Sequence, residues 1–166
     1  MTASVQARRL HAALLARAET LATAESLTGG ALGVALTAAP GSSATYRGGV
    51  TAYATDLKVR LLGVDPDLLE HVGAVHPEVA RAMAAGVRKR LGSTYGLSAT
   101  GVAGPDPQDG QPPGVVHVGL VGPDLSQVAS LRLTGTRAAV RSAAVRRALE
   151  LAVSHLVPPT GREAGR

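Results

Sequence analysis

Apolar positions recur along this chain with two periods. From about Ser4 to Arg17, Leu10, Leu14 and Leu15 fall at helical spacing among Arg8, Arg9 and Arg17, predicting an amphipathic helix. The run "TLATAE" is short and apolar and predicts a buried strand ending at Ser26. A second helix is expected to open at Ser26 or Thr28 and to close where Pro40 and Gly41 punctuate the chain. "GGVTAYAT" predicts another strand, "DLKVRLLGV" a short helix from Asp56, and "DPDLLEHVG" a helix capped by Asp65 with Pro66 at its first position. "HPEVARAMAAGVRKRLG" is strongly helical and ends at Gly92 behind Arg88, Lys89 and Arg90. Three strand-like runs follow, "YGLSATGVAG", "GVVHVGLVGP" and "QVASLRLTG", the last two forming a hairpin across "VGPDLS". A helix from about Arg137 to His155 completes the pattern. The expectation is an α/β fold, a three-layer α/β/α sandwich on a mixed sheet of about five strands. One domain spans residues 1–158, with a flexible polar tail over 159–166.

Composition narrows this picture. The chain has no Phe, no Trp and no Cys, and its only aromatic residues are Tyr46, Tyr53 and Tyr95. The core must therefore be built from Ala, Val and Leu, and thiolate metal sites and disulfides are excluded. The amino-terminal stretch lacks the apolar segment of a signal peptide, and no run approaches the roughly 20 apolar residues of a membrane span. A cytoplasmic protein without membrane attachment is expected. The net charge of +5 favours an anionic partner. Of the 17 Lys and Arg residues only Lys58 and Lys89 are lysine, so each lysine invites a question.

Four constellations carry candidate chemistry. In "AESLTGG", Ser26 and Thr28 stand at a strand-to-helix turn with Gly29 and Gly30 behind them. The hydroxyls suit helix capping; the same amides, with glycines admitting a ligand closely, suit an anion or oxyanion. In "YATDLK", Tyr53 precedes Lys58 by five residues. A buried, neutral lysine can serve as the base of a serine nucleophile, which arginine cannot; a solvated Lys58 beside a core tyrosine is the plainer reading. "SATGVAGPD" places Thr100, Gly101 and Gly104 after a strand, where α/β folds hold ligands, or where a plain glycine turn would sit. Arg137 and Arg141, one turn apart, suit a phosphate clamp or a solvated basic face. The five histidines show no metal-ligand spacing.

Taken together, the block from "TAESLTGG" to "TDLKVRLLGV", "HVGAVHPEVARAMAAGVR", "ATGVAGPD" and "PPGVVHVGL" resemble the CinA C-terminal domain family, over about Leu21 to Leu151. Active members of that family are nicotinamide-nucleotide amidases. The resemblance implies hydrolysis of the carboxamide of nicotinamide mononucleotide to nicotinate mononucleotide and ammonia, with no metal or organic cofactor. It also implies a Ser/Lys/Tyr set, here Ser26, Lys58 and Tyr53, with Tyr53 relaying the serine proton or fixing the amine. Amides around Thr28, Gly29 and Gly30 would steady the oxyanion, about 3 kcal/mol per donor in other hydrolases. Arg137 is the expected phosphate partner, with the Thr100–Gly101 loop beside it; Glu25 either orients Lys58 or is structural.

The chain departs from the family pattern at His76, where serine is usual, at Thr55, where asparagine is common, and at Val116, where threonine is typical. "GPDPQDGQPPGVV" also lacks the usual glycine pair, so the 106–116 loop is the doubtful part of the match. The partner domain of longer CinA proteins is expected to be absent, and a homo-oligomer is expected. Two other functions compete: a pyridine-nucleotide-binding relative without turnover, suggested by that loop, and a nucleic-acid-binding competence factor, suggested by the charge. The lack of Phe and Trp removes the usual stacking platforms for nucleic acid.

Overall fold

The computed structural model describes residues 1–159. Its elements follow the chain as α1 (Ala3–Ala16), β1 (Leu21–Glu25), α2 (Ala31–Thr37), a 3-10 turn (Ser42–Ala44), β2 (Tyr46–Thr51), α3 (Thr55–Leu62), α4 (Pro66–Val72), α5 (Pro77–Leu91), β3 (Tyr95–Gly101), β4 (Val115–Gly122), β5 (Leu125–Arg132) and α6 (Arg137–Leu156). The five strands form one sheet in the order β2-β1-β3-β4-β5. β1 runs parallel to β2 and β3, while β3, β4 and β5 are antiparallel, so the sheet is mixed as expected. Of the tail expected from 159 onward, residues 160–166 lie outside the described part.

Helices cover both faces, which is why β1 and most of β3 and β4 are buried. On one face α1, α2 and α6 pack Leu10, Leu14, Leu32, Val140 and Leu149 against Leu97, Val118 and Leu120. On the other, α3, α4 and α5 pack Leu62, Leu69, Val79, Met83 and Val87 against Ala22 and Ala24. Small residues make this close packing possible: a Cβ on Gly86 of α5 would collide with the carbonyl of Leu62, and one on Gly96 of β3 with the carbonyl of Ala84. Among the described residues, no helix is long and apolar enough to cross a membrane.

The predicted elements hold with local differences. Asp65 caps α4 by accepting from the Asp67 amide at 2.9 Å, with Pro66 next, and Gly92 closes α5 in the left-handed region. His76 does a cap's work: its Nδ1 accepts from the Glu78 amide at 3.2 Å. β2 begins earlier than expected and stops at Thr51, leaving Tyr53 in the connection to α3. α2 starts only at Ala31, later than a Ser26 or Thr28 cap implies. The reason lies in Glu25.

Candidate active site

Glu25 is the last residue of β1 and is buried. Its carboxylate turns onto the start of α2 and accepts from the amides of Gly30 (3.0 Å), Leu32 (3.0 Å) and Gly33 (2.9 Å). Three otherwise unpaired donors are satisfied by one anion at the positive end of the helix. Because the cap comes from upstream, the chain between strand and helix is free to make a separate turn over 26–30. Gly29 and Gly30 adopt positive φ (59° and 96°) to close it, and the Gly29 amide donates to the Ser26 carbonyl at 3.0 Å. Arg141 of α6 clamps the turn from outside, donating to the carbonyls of Leu27 (2.9 Å) and Thr28 (3.2 Å).

Ser26 stands at the start of this turn, its own amide bonded to Ala99 of β3 at 2.9 Å. Its Oγ lies 3.1 Å from Nζ of Lys58, which reaches in from α3. Lys58 is 1% exposed, and its Nζ also donates to the Ala52 carbonyl at 2.9 Å. Burial disfavours the ammonium and lowers the Lys58 pKa to about 8, the nearby charge of Asp109 opposing that fall. A serine hydroxyl beside an amine that is easily deprotonated is the arrangement a nucleophile–base pair requires.

Ser26 opens into a cleft of about 330 Å³ lined also by Leu27, Tyr53, Arg137 and residues 101–108. Gly101 thus lies on its wall. Arg137, the first residue of α6, spans the rim: it donates to the Gly104 carbonyl at 2.7 Å and to the Tyr53 hydroxyl at 2.8 Å. Tyr53 is 57% exposed and bonds to neither Ser26 nor Lys58, so the expected relay through its hydroxyl is not assembled here. Its position past the end of β2 turns the ring outward.

Three further expectations change. Thr100 is buried and its hydroxyl donates to the Ala74 carbonyl at 2.8 Å, tying β3 to the α4–α5 connection instead of facing the cleft. The amides of Gly29 and Gly30 are both occupied, as above, and cannot also hold an oxyanion. Among the described residues, the Leu27 and Thr28 amides have no hydrogen-bond acceptor, and they directly follow the serine. Thr28 itself is buried, its hydroxyl without a partner among the described residues. The capping reading fails too, because Glu25 does that work. No three His, Asp or Glu side chains converge as a metal site among the described residues.

Sequence reasoning missed Arg141 as a clamp of the turn and Glu25 as the cap of α2. Only Glu25 left a signal: a carboxylate ahead of a glycine-rich helix start.

Residues 4–156 match the CinA C-terminal domain family, and the chain belongs to that family. It is 55% identical over 138 residues to a CinA-like protein of Frankia casuarinae, covering 83% of this chain and 32% of that protein. A CinA-like protein of Gloeobacter violaceus is 51% identical over 144 residues, covering 84% and 34%. The chain therefore spans about a third of the length of these relatives. Among solved structures, a CinA superfamily protein from Enterobacter cloacae superimposes with a TM-score of 0.91 at 29% identity, covering 94% of this chain and 93% of that one. The competence/damage inducible protein CihA of Agrobacterium tumefaciens gives 0.88 at 33% identity, covering 92% and 94%.

Proposed function

We propose, from membership of the CinA C-terminal domain family and from the cleft's geometry, that the chain hydrolyses the carboxamide of nicotinamide mononucleotide, releasing ammonia and nicotinate mononucleotide. The observation that carries this reading is the 3.1 Å approach of Lys58 Nζ to Ser26 Oγ, with the lysine buried and its pKa lowered to about 8.

In this mechanism the neutral amine of Lys58 takes the Ser26 proton while Oγ attacks the amide carbon. The Ala52 carbonyl accepts one Lys58 N–H and so helps turn the nitrogen lone pair toward the serine. Negative charge developing on the carbonyl oxygen meets the free amides of Leu27 and Thr28, fixed by the turn that Arg141 clamps. The Lys58 ammonium then protonates the departing nitrogen, and ammonia leaves the ester of nicotinate mononucleotide on Ser26, its ribose phosphate still attached. Water, deprotonated by Lys58, attacks the ester, and the serine oxygen recovers its proton. Arg137 holds the substrate phosphate at the rim, exchanging its Tyr53 and Gly104 bonds for phosphate oxygens.

Ammonia release from nicotinamide mononucleotide by wild type beside Ser26→Ala tests this. The expected result is turnover in wild type and a loss on the order of 10⁴-fold or more in the variant. Turnover unchanged by the substitution contradicts the mechanism. No turnover in either protein contradicts the activity itself.

A further inference from the structure

Arg137 and Tyr53 bond to each other across the mouth of the cleft. The Tyr53 hydroxyl accepts from Arg137 Nη2 at 2.8 Å and has no other hydrogen bond among the described residues. The other two tyrosine hydroxyls are tied to the scaffold, Tyr46 to Thr23 at 2.7 Å and Tyr95 to Glu19 at 3.3 Å. Both stand at the first residue of their strands, β2 and β3, away from the strand ends that carry the cleft. Of the three, only Tyr53 is exposed.

The backbone of Tyr53, in contrast to its ring, begins at the floor. Ala52 is buried; its amide donates to the Glu25 carbonyl at 2.9 Å, and its carbonyl accepts from Lys58 Nζ at 2.9 Å. Tyr53 follows directly, so its Cα is anchored one peptide from the lysine while Arg137 holds its ring at the rim. Arg137 is also the cation assigned above to the substrate phosphate. A phosphate dianion takes a guanidinium in a bidentate, charge-assisted pair that a neutral phenol and a peptide carbonyl do not match. Phosphate therefore competes with Tyr53 and Gly104 for the same Nη atoms.

We propose that the Arg137–Tyr53 bond is a latch through which the site selects phosphorylated substrates: a phosphate monoester draws Arg137 off the phenol, and Tyr53 turns about χ1 to bring its hydroxyl to Ser26 and Lys58. This rests on the amide-hydrolysis reading and deepens it, because the turn assembles the Ser/Lys/Tyr set expected from the sequence. A rotamer change of an exposed side chain is fast, so the latch adds no slow step. An amide that lacks the phosphate leaves the latch closed and meets Ser26 and Lys58 without the tyrosine.

The chain has only three tyrosines, so carbon-13 labelling of their rings gives three sets of signals, and Tyr53→Phe identifies one. The probe is ribose 5-phosphate, which carries the phosphate without the amide, and ribose is its control. Ribose 5-phosphate is expected to move the Tyr53 signal alone and to bring up nuclear Overhauser contacts between its ring and the Lys58 side chain, whereas ribose moves nothing. Arg137→Met, at an exposed position, shows the same Tyr53 signal and the same contacts with neither sugar added. A Tyr53 signal that ribose 5-phosphate leaves in place, or that moves without contact to Lys58, overturns the latch, as does an Arg137→Met spectrum matching wild type. In turnover, Arg137→Met should release ammonia from nicotinamide riboside with kcat raised about tenfold over wild type, the weight of one hydrogen bond to a charged group. An unchanged or lowered kcat overturns the selection. The ring signals need no turnover, so they decide the latch even where neither protein releases ammonia and the amidase reading falls.

Discussion

At the floor of the cleft, Ser26 and Lys58 are buried and meet directly, one from the end of a central strand and the other from a helix packed beside it. At the rim, Tyr53 is solvent-exposed and Arg137 reaches it across 84 positions of sequence. The floor is fixed by backbone: the sheet places Ser26, and the Glu25 cap and the Arg141 clamp shape the turn behind it. The rim is fixed by one long side chain with two weakly shielded bonds. In the proposed mechanism, chemistry that tolerates little displacement falls on the rigid part, and recognition that must open for a ligand falls on the adaptable part.

The largest effect that separates the two regions, after loss of the serine, is expected at Lys58. Lys58→Arg keeps a cation but removes the base, and kcat should fall about 10²–10⁴-fold; an active variant would move the base elsewhere. In wild type, kcat/KM should rise with pH through about 8, as the amine loses its proton.

The same burial has a cost in stability. The folded pKa of Lys58 lies below its unfolded value, so the unfolded chain binds more protons between about 8 and 10.5 and stability climbs with pH across that window. Below it the full penalty applies, on the order of 3 kcal/mol. Lys58→Met should therefore abolish turnover yet raise Tm at pH 7 by a few degrees, read by calorimetry. A lowered Tm would show that the bond to Ala52 outweighs desolvation.

Glu25→Ala sharpens the comparison from the scaffold side. It leaves three helix-start amides without their acceptor, and a loss of about 2–4 kcal/mol in denaturant unfolding is expected, with turnover falling alongside. Stability unchanged in that variant would mean water replaces the carboxylate. The smallest effect belongs to the rim. Arg137→Ala should raise KM about tenfold with kcat changed less, because a phosphate contact acts in binding more than in the chemical step. An unchanged KM would place the phosphate elsewhere.

Much of this was legible in the chain, for local reasons. The apolar run of β1, the Asp65–Pro66 start of α4, the Gly92 end of α5 and the β4–β5 hairpin are each written in a few adjacent residues. The pairing of Ser26 with Lys58 was legible only as two motifs, joined by family resemblance and not by spacing. What stayed hidden depends on contacts distant in sequence. Glu25 left only a faint signal, a carboxylate ahead of a glycine-rich helix start, and no local rule says that Thr100 turns toward Ala74. The place of Tyr53 at the rim was missed because β2 ends two residues earlier than its apolar pattern suggests.

The central claim is that Ser26 carries the acyl group. The most direct measurement is mass spectrometry of the whole protein and its peptides after rapid acid quenching of a reaction with nicotinamide mononucleotide. The expected result is an adduct of the nicotinate mononucleotide acyl group, ribose phosphate included, confined to the peptide containing Ser26 and absent from Ser26→Ala. Ammonia released at full rate with no adduct on that peptide, at any quench time shorter than a turnover, would contradict it.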